Sequence, residues 1–376
     1  MLKGFHLTLM MGAGVAAPVP RRIIESLVSA QVTETSGRSG FQLVFSWAKG
    51  SPIDADLQGG FFDPLVRVIL VVTVNGTPQV LMDGLITRQD MAPSDQPGMS
   101  TFTVTGSDMS AAMELTNLTG LIPYPAMPAE AIVALIVAKY AILGVIPLII
   151  PSPIINVSIP TEKIPKQLGT DLDYVRRLAS RTGYQFYVVP GPSVGMSVAY
   201  WGPEVRWGDV QPALSINLDA RTNTDSLGFS FDGVGRTIYL LTIYIKETKF
   251  PIPIPLPDVG ILKPPLVKKE ALPLKFEPID PAEGVGKLNP AQAAAIGLAR
   301  ASQSGDVVTG TGTLDVARYG RVLQSRKLVG VRGAGRAYDG VYYVKSVTHS
   351  LKRGEYKQSF TLAREGVLPL QSTVSP

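Results

Sequence analysis

The sequence predicts a mainly β protein carrying an α+β insertion, and three of its features lead there. Short segments alternating apolar and polar residues occupy both ends of the chain, punctuated by Asn-Gly, Asp-Gly and Lys-Arg-Gly turns. The middle has helical spacing instead, with its own capping residues. Glycine (37) and proline (31) are frequent enough in 376 residues to require many turns, edge strands and long connections.

Taken in order, Phe5-His6-Leu7-Thr8-Leu9 alternates with period two and reads as a half-buried strand. The apolar run from Lys3 to Ala17 has the outline of an export signal. That alternation, and Pro18 just past the best cleavage position, favour the strand, so no signal peptide is expected. Residues 41–47 and 66–74 are further strands, and Asn75-Gly76 is a favoured hairpin turn. Residues 79–88 return across it, with Asp83-Gly84 inside as a bulge or bend. Residues 93–98 form a loop, and 100–105, with threonine at every second position, form the closing strand. This spacing predicts a sandwich or small barrel.

The texture then changes. Residues 129–155 are the most apolar stretch, but Lys139 sits near the middle and Gly144, Pro147, Pro151 and Pro153 interrupt the rest. Neither half reaches the roughly 18–20 residues of a membrane span. The reading is a buried helix over 129–143, started by Pro128, then an extended proline-rich segment. Residues 167–181 carry Leu168, Leu172, Val175 and Leu178 at helical spacing, with Thr170 and Asp173 as an N-terminal capping pair and Gly183 at the C-terminus. Residues 184–189 follow as a strand. Strands return at 227–231 and 237–245, and the run 250–257, proline at every second residue, suits polyproline or an edge. Asn289-Pro290 opens a short alanine-rich helix. Residues 341–349 and 356–363 are strands joined by Lys352-Arg353-Gly354.

Composition excludes several function classes. With 45% hydrophobic and 17% charged residues the chain is no disordered tail. The absence of cysteine removes disulfide scaffolds, thiolate zinc sites, iron–sulfur clusters and cysteine nucleophiles together. Two histidines, His6 and His349, make a multi-histidine metal site unexpected, and no cofactor is expected. A net charge of +5 is a mild basic excess, without the dense stripe of a nucleic-acid binder.

Two stretches resemble each other. Asp83-Gly84-Leu85-Ile86 precedes Ser100-Thr101-Phe102-Thr103-Val104, and Asp339-Gly340-Val341-Tyr342 precedes Gln358-Ser359-Phe360-Thr361-Leu362. Asp-Gly leading a strand, then a Ser/Thr–Phe–Thr–aliphatic return strand, is one β unit seen twice, a cue to duplication. Three copies of a chain with two like units can present six similar faces in a ring.

Candidate chemistry is thin. Gly333-Ala334-Gly335 lacks the third glycine at dinucleotide spacing and a Walker lysine, so a glycine-rich β-loop is the better reading. Asp171 and Asp173 lie two apart at a helix N-terminus, where capping and the dipole explain them. His349 stands in a strand with no Gly-x-Ser-x-Gly serine to serve. Residues 318–364 interleave arginines with Tyr319, Tyr338, Tyr342, Tyr343 and Tyr356, which would serve single-stranded nucleic acid, a channel wall or an acidic partner.

At these residues the chain meets a family. Arg332-Gly333-Ala334-Gly335, Tyr338-Asp339-Gly340-Val341-Tyr342-Tyr343-Val344, His349, Gly354-Glu355-Tyr356 and Phe360-Thr361-Leu362-Ala363-Arg364-Glu365-Gly366 resemble the C-terminal region of phage late control protein D. That is the baseplate hub family of contractile tails and contractile injection systems. Gly169 to Ala179, Gly183 to Val188, and Trp201-Gly202-Pro203-Glu204 are similar to its helix-then-strand middle. The proline-rich 250–281 stretch matches least. The resemblance implies two similar tube-type β-barrel domains and a peripheral α+β domain, in a homotrimeric pseudo-sixfold ring around a channel. The first tube domain would span 1–110, and the second would combine 214–247 with 306–366. The peripheral part would take 111–213 and 248–305, with a tail at 367–376. The implied role is a non-enzymatic adaptor between a trimeric spike and the hexameric inner tube, assembled in the bacterial cytoplasm among other baseplate proteins. With no room for a spike repeat after Gly366, the spike is expected on a separate protein. The family-motif positions expected to be structural or interfacial are Asp83, Gly84, Asp171, Asp173, Trp201, Arg332, Gly333, Gly335, Tyr338, Asp339, Gly340, His349, Phe360 and Arg364. The alternatives are a tail-associated cell-wall hydrolase and a single-stranded nucleic-acid-binding protein.

Overall fold

A computed structural model describes residues 4–94, 100–152, 165–244, 251–256, 264–268, 275–278 and 305–371. The chain opens with β1 (Phe5–Gly12), β2 (Ala17–Pro18), α1 (Arg21–Ser26), β3 (Leu27–Glu34), β4 (Ser39–Ser46), α2 (Pro52–Gln58), β5 (Arg67–Val74), β6 (Thr77–Ala92) and β7 (Thr101–Asp108). The middle section holds α3 (Ala129–Ala138), β8 (Val145–Ile149), α4 (Asp171–Thr182), β9 (Gln185–Pro190) and β10 (Ser197–Gly202). Then come β11 (Val210–Ser215), β12 (Thr224–Phe231), β13 (Thr237–Tyr244), β14 (Pro251–Leu256), β15 (Lys275–Pro278), β16 (Val308–Asp315), α5 (Val316–Tyr319), β17 (Leu328–Arg332), β18 (Gly340–Lys352) and β19 (Glu355–Arg364). The molecule is mainly β, as the alternating segments predict.

Thirteen strands from both ends of the chain form one sheet. Its first half runs β3-β4-β7-β6-β5-β1 and its second β12-β16-β19-β18-β17-β11. The first five positions correspond in order and in antiparallel sense. The sixth does not: β1 is antiparallel to β5, whereas β11 is parallel to β17. The registers correspond as well. Phe102 on β7 lies opposite Phe45 and Met91, and Phe360 on β19 lies opposite Gly312 and Val347. The halves meet where the far end of β18, Val347 to Lys352, pairs with β3. One apolar core runs under both halves, from Leu9, Val32 and Phe102 to Val329, Tyr342 and Phe360. β5 (Arg-Val-Ile-Leu-Val-Val-Thr-Val) is apolar without alternation because it is buried on both faces.

Gly84 is not a bulge. The extra residues of β6 are Leu81 and Thr87, where the registers with β5 and β7 shift. At Gly84 the neighbouring strand closes in, so that a Cβ would stand 2.1 Å from the Ser107 carbonyl oxygen. Only glycine fits.

The middle section packs its own core, in which α3 and α4 cover β8-β10-β9. α4 begins at Thr170, whose hydroxyl accepts from the Asp173 amide while Asp173 accepts in return, and it stops at Gly183 with φ 71°. Leu168, read as part of the helical stripe, is exposed ahead of this cap. α3 ends at Ala138 rather than 143: Lys139 leaves the apolar face to pair with Asp171 at 3.1 Å, and Gly144 turns at φ 80° against the Gly195 carbonyl. Among the described residues no helix is long and apolar enough to cross a membrane. Residues 237–244 pair not in the large sheet but with β14 and β15. β14 is an edge strand, and prolines 251, 253 and 255 at alternate positions collect their missing amides on the side away from β13. The Asn289-Pro290 helix lies outside the described residues.

Candidate functional site

β12, β16, β19, β18, β3, β4, β7 and the second half of β6 lie side by side, one face on the core and the other outward. Alternation decides which residues face out. They are Thr309, Thr311 and Thr313 on β16, Ser359 and Thr361 on β19, Ser346, Thr348 and Ser350 on β18, Ser29, Gln31 and Thr33 on β3, and Thr101, Thr103 and Thr105 on β7. The hydroxyl surface continues across the seam between the halves, where the Thr33 and Thr348 hydroxyls lie 3.3 Å apart. Charges stand at its margins, Lys352 and Lys357 on one side and an Arg88–Asp90 pair at 2.6 Å on the other. Val44 on β4, opposite Ser29 and Thr103, adds an apolar side chain to this otherwise polar, uncharged stretch. The alternating threonines of 101–105 were read as a strand; 309–313, with glycines between its threonines, carries the same signal and was not.

Behind this face, at the same seam, His349 is buried on the core side. Its Nδ1 is 2.7 Å from the Tyr356 hydroxyl, and its Nε2 is 3.5 Å from Glu34 of β3, to which Ser325 also donates at 2.5 Å. Burial alone would raise the Glu34 carboxyl, but the His349 imidazole, the Ser325 hydroxyl and the Arg326 charge together hold it below 4.5. Among the described residues no serine stands within hydrogen-bond reach of the imidazole in a nucleophile's position, and the ring serves the seam. A carboxyl held low in the folded state adds stability above its unfolded pKa, and that stability is lost as pH falls through the folded one. Glu34→Gln is therefore expected to cost about 1.5–3 kcal/mol at neutral pH. The gap to wild type should close as pH drops below 4.5. Melting curves across pH check this, and a gap independent of pH would refute it.

The remaining motif positions are clamps. Arg332, Gly333, Gly335, Tyr338, Asp339 and Gly340 form the β17–β18 turn, and buried Arg364 grips it, donating to the carbonyls of Asp339 at 2.9 Å, Ala337 at 2.8 Å and Gly366 at 2.9 Å. Its guanidinium lies 4.2 Å from the Tyr342 ring centroid, and burial lowers its pKa from the ordinary value. Asp339 accepts from the Ala334 amide at 2.8 Å, and Tyr338 stacks on Phe229. This loop cradles no phosphate: a Cβ at Gly333 would meet the Ile216 carbonyl oxygen at 1.8 Å, and one at Gly340 would meet Pro369 at 2.3 Å. Gly333 (φ 85°) and Gly335 (φ 92°) share a left-handed backbone, yet only Gly335 faces open space. Gly335→Ala is expected to cost about 1–2 kcal/mol and Gly333→Ala clearly more. Equal costs in urea unfolding would contradict the crowding at Ile216.

Asp83 and Arg67 form a buried fork with both contacts at 2.7 Å, beside Gly84. Asp171 accepts from Gln167 at 2.6 Å, Tyr140 at 2.8 Å and Lys139, while Asp173 completes the capping box with Thr170. Burial, with Asp171 adding to it, pushes the Tyr124 phenol up to about 12. Trp201 is fully buried with its ring edge-on to Tyr184 at 4.8 Å. Phe360 fills the space beside Gly312. Tyr319, Tyr342, Tyr343 and Tyr356 are buried, which withdraws them as base-stacking platforms. Sequence reading missed residues that knit the molecule together, Arg67, Glu34 and Arg206, because a buried arginine or glutamate has no local signature.

No protein-family model matches the sequence, and no curated protein matches it. Solved structures do. A tail protein from Neisseria meningitidis MC58 superposes with a TM-score of 0.62 at 15% identity, covering 97% of this chain and 98% of that one. The 43 kDa tail protein of prophage MuSo2 from Shewanella oneidensis gives 0.61 at 14% identity, covering 96% and 98%. An E. coli component of the type VI secretion system, similar in structure to the T4 bacteriophage tail proteins gp27 and gp5, gives 0.50 at 12% identity over 93% and 76%. The chain thus has the fold of phage tail and contractile-injection proteins, in agreement with the resemblance carried by its C-terminal motifs.

Proposed function

We propose that this protein is a structural baseplate hub, working as a homotrimer that adapts a threefold spike to a sixfold inner tube. The observation that carries the reading is the repeated strand order, five positions alike in sequence of pairing and direction within one chain. Two like units in each of three copies offer six like positions around a bore. In this reading the units are residues 1–110 and 214–247 with 306–366, and the α+β part (111–213 and 248–305) stands outside the ring. The hydroxyl face lines the channel, and the buried clamps keep the units rigid while force passes through them. The spike, the inner tube and further baseplate proteins are its partners, and assembly precedes release of the particle from the bacterial cytoplasm.

The carboxylates of the motif positions support the non-enzymatic part of the reading, since Asp83, Asp171 and Asp173 are each bound to a cation, an amide or a hydroxyl. An image of the assembled particle tests the whole. Three copies between spike and tube, with both units of each chain facing the bore, are expected. A monomer, or a ring in which only one unit reaches the bore, overturns it.

A further inference from the structure

At the Ser29–Lys352 end of their seam, the two halves of the large sheet leave a pocket of about 380 Å³. The first half supplies β1, the end of α1 and the start of β3. The second supplies the β18–β19 hairpin and the end of β16 with the start of α5. The lining is mostly apolar: Phe5, Leu7, Ile24 and Leu351, with the Phe5 ring 5.3 Å from that of buried Tyr356. Val28 lines it too and is 48% exposed. These walls are no by-product of the repeated β unit. α1 has no counterpart between β11 and β12, where the chain makes only the three-residue turn Asp219–Arg221. The Arg353-Gly354 turn corresponds to the longer connection 93–100 between β6 and β7.

Two exposed cations, Lys352 and Arg353, border the pocket. Among the described residues Lys352 has no ion-pair partner, and Arg353 donates only to the Glu25 carbonyl. The carboxylates close by are taken: Asp315 accepts the Ala317 and Arg318 amides, Glu25 pairs with Arg21, and Glu355 pairs with Lys357. Positive charge without a counter-charge, beside an open apolar floor, fits an occupant that is both apolar and acidic. Two separate cations call for two carboxylates, which a polypeptide segment carries and a single-headed amphiphile does not. We propose that this pocket receives an acidic segment of a partner protein, one apolar side chain seated on Phe5, Ile24 and Leu351 and its flanking carboxylates paired with Lys352 and Arg353. The proposal goes beyond the hub reading and stands whether or not the chain closes a ring.

Fluorescence anisotropy of a labelled peptide, Gly-Glu-Asp-Leu-Glu-Asp-Gly, on the full-length protein tests this. Saturable binding is expected, about tenfold or more weaker for the same peptide with glycine in place of leucine. Lys352→Glu and Val28→Asp should each weaken it by about tenfold or more. Both positions are exposed, so folding should be undisturbed, and melting curves check it. Lys327→Glu makes the same charge change at an exposed position outside the pocket and should leave affinity within about twofold. Equal affinity for a peptide with lysine at the four acidic positions would overturn the proposal. So would an equal loss at Lys327→Glu, or no saturation below about 1 mM. Binding of decanoate with none of the peptide would make a fatty acid the occupant. A gain of about tenfold on removing residues 1–3 would make the chain's own start the occupant. Either result overturns the partner segment.

Discussion

Replacing Arg206 with methionine is expected to destabilise the protein by about 3–5 kcal/mol. The guanidinium is wholly buried and meets three carboxylates: Glu204 at 2.5 Å, Glu365 at 2.6 Å and Asp306 at 2.8 Å. Its flat side lies over Tyr343, 5.1 Å from the ring centroid. These partners come from the segment after β10, from the end of β19 and from just before β16, so a single side chain ties the middle section to the second half of the large sheet. Burial would lower the arginine's pKa, but the three anions hold it above the ordinary value, and the cation is permanent. Methionine keeps much of the volume and removes the charge, leaving three nearly buried anions without their shared cation. Asp306 retains Lys345 at 2.9 Å, and Glu204 retains Gln185 at 2.9 Å, which limits the loss. Arg206→Lys should cost less, retaining charge but not the fork. Denaturant unfolding checks this, with the exposed Arg21–Glu25 pair as control: Arg21→Ala should stay within about 0.5 kcal/mol. A methionine variant as stable as wild type would mean that the cluster is neutral to the fold.

The second large effect is expected at Asp83→Asn, again about 3–5 kcal/mol. Arg67 on β5 and Asp83 on β6 are diagonal neighbours, Arg67 lying opposite Leu85 and Asp83 opposite Ile69, and their fork is buried. It also reaches sideways: Ser197 donates to Asp83 at 3.0 Å, and Arg67 donates to the Gly195 carbonyl at 2.8 Å. The pair is thus the anchor of β10 and its preceding turn on the first half of the large sheet. Asparagine fits the space and leaves a buried guanidinium without its anion. Hydrogen exchange should rise most around residues 195–199, where the middle section would come loose, and less in β1 and β5. Removing both partners, as Asp83→Asn with Arg67→Met, should cost less than the sum of the single changes, because the second loss relieves the first. Additive costs would show that the two residues act separately.

The residues that announced themselves in the sequence did so through local physics. β1, β5 and β7 follow from alternation or continuous apolarity, α4 from its capping box and terminal glycine, and the Asn75-Gly76 hairpin from the φ of 49° and 83° that the turn requires. β3, β8, β10, β11, β15 and β17 carry no such signal, and β16 carries it only through its threonines. β3 mixes Ser, Ala and Gln into its alternation, and β16 has Gly310 and Gly312 where a strand usually has side chains. The reason lies across the sheet: the rings of Phe229 and Phe360 occupy the space that a Cβ at those glycines would take. Likewise α3 stops early because Lys139 has Asp171 to reach, 32 residues away.

The candidate site divides in the same way. Asp83-Gly84, Asp339-Gly340 and the paired phenylalanines were visible as a repeated phrase, yet the clamp of Arg364, the Glu34–His349 seam and the hydroxyl face were not. Local sequence determined which segments would be strands, where α4 would begin and end, and that one β unit occurs twice, because capping, turn chemistry and alternation act over a few neighbouring residues. Tertiary structure alone decided that the two units share a sheet and a core and that their outward faces join into one hydroxyl surface. Those properties depend on register between strands that lie some three hundred residues apart in the chain, as Thr33 and Thr348 do, and pairing at that distance leaves no mark on either segment by itself.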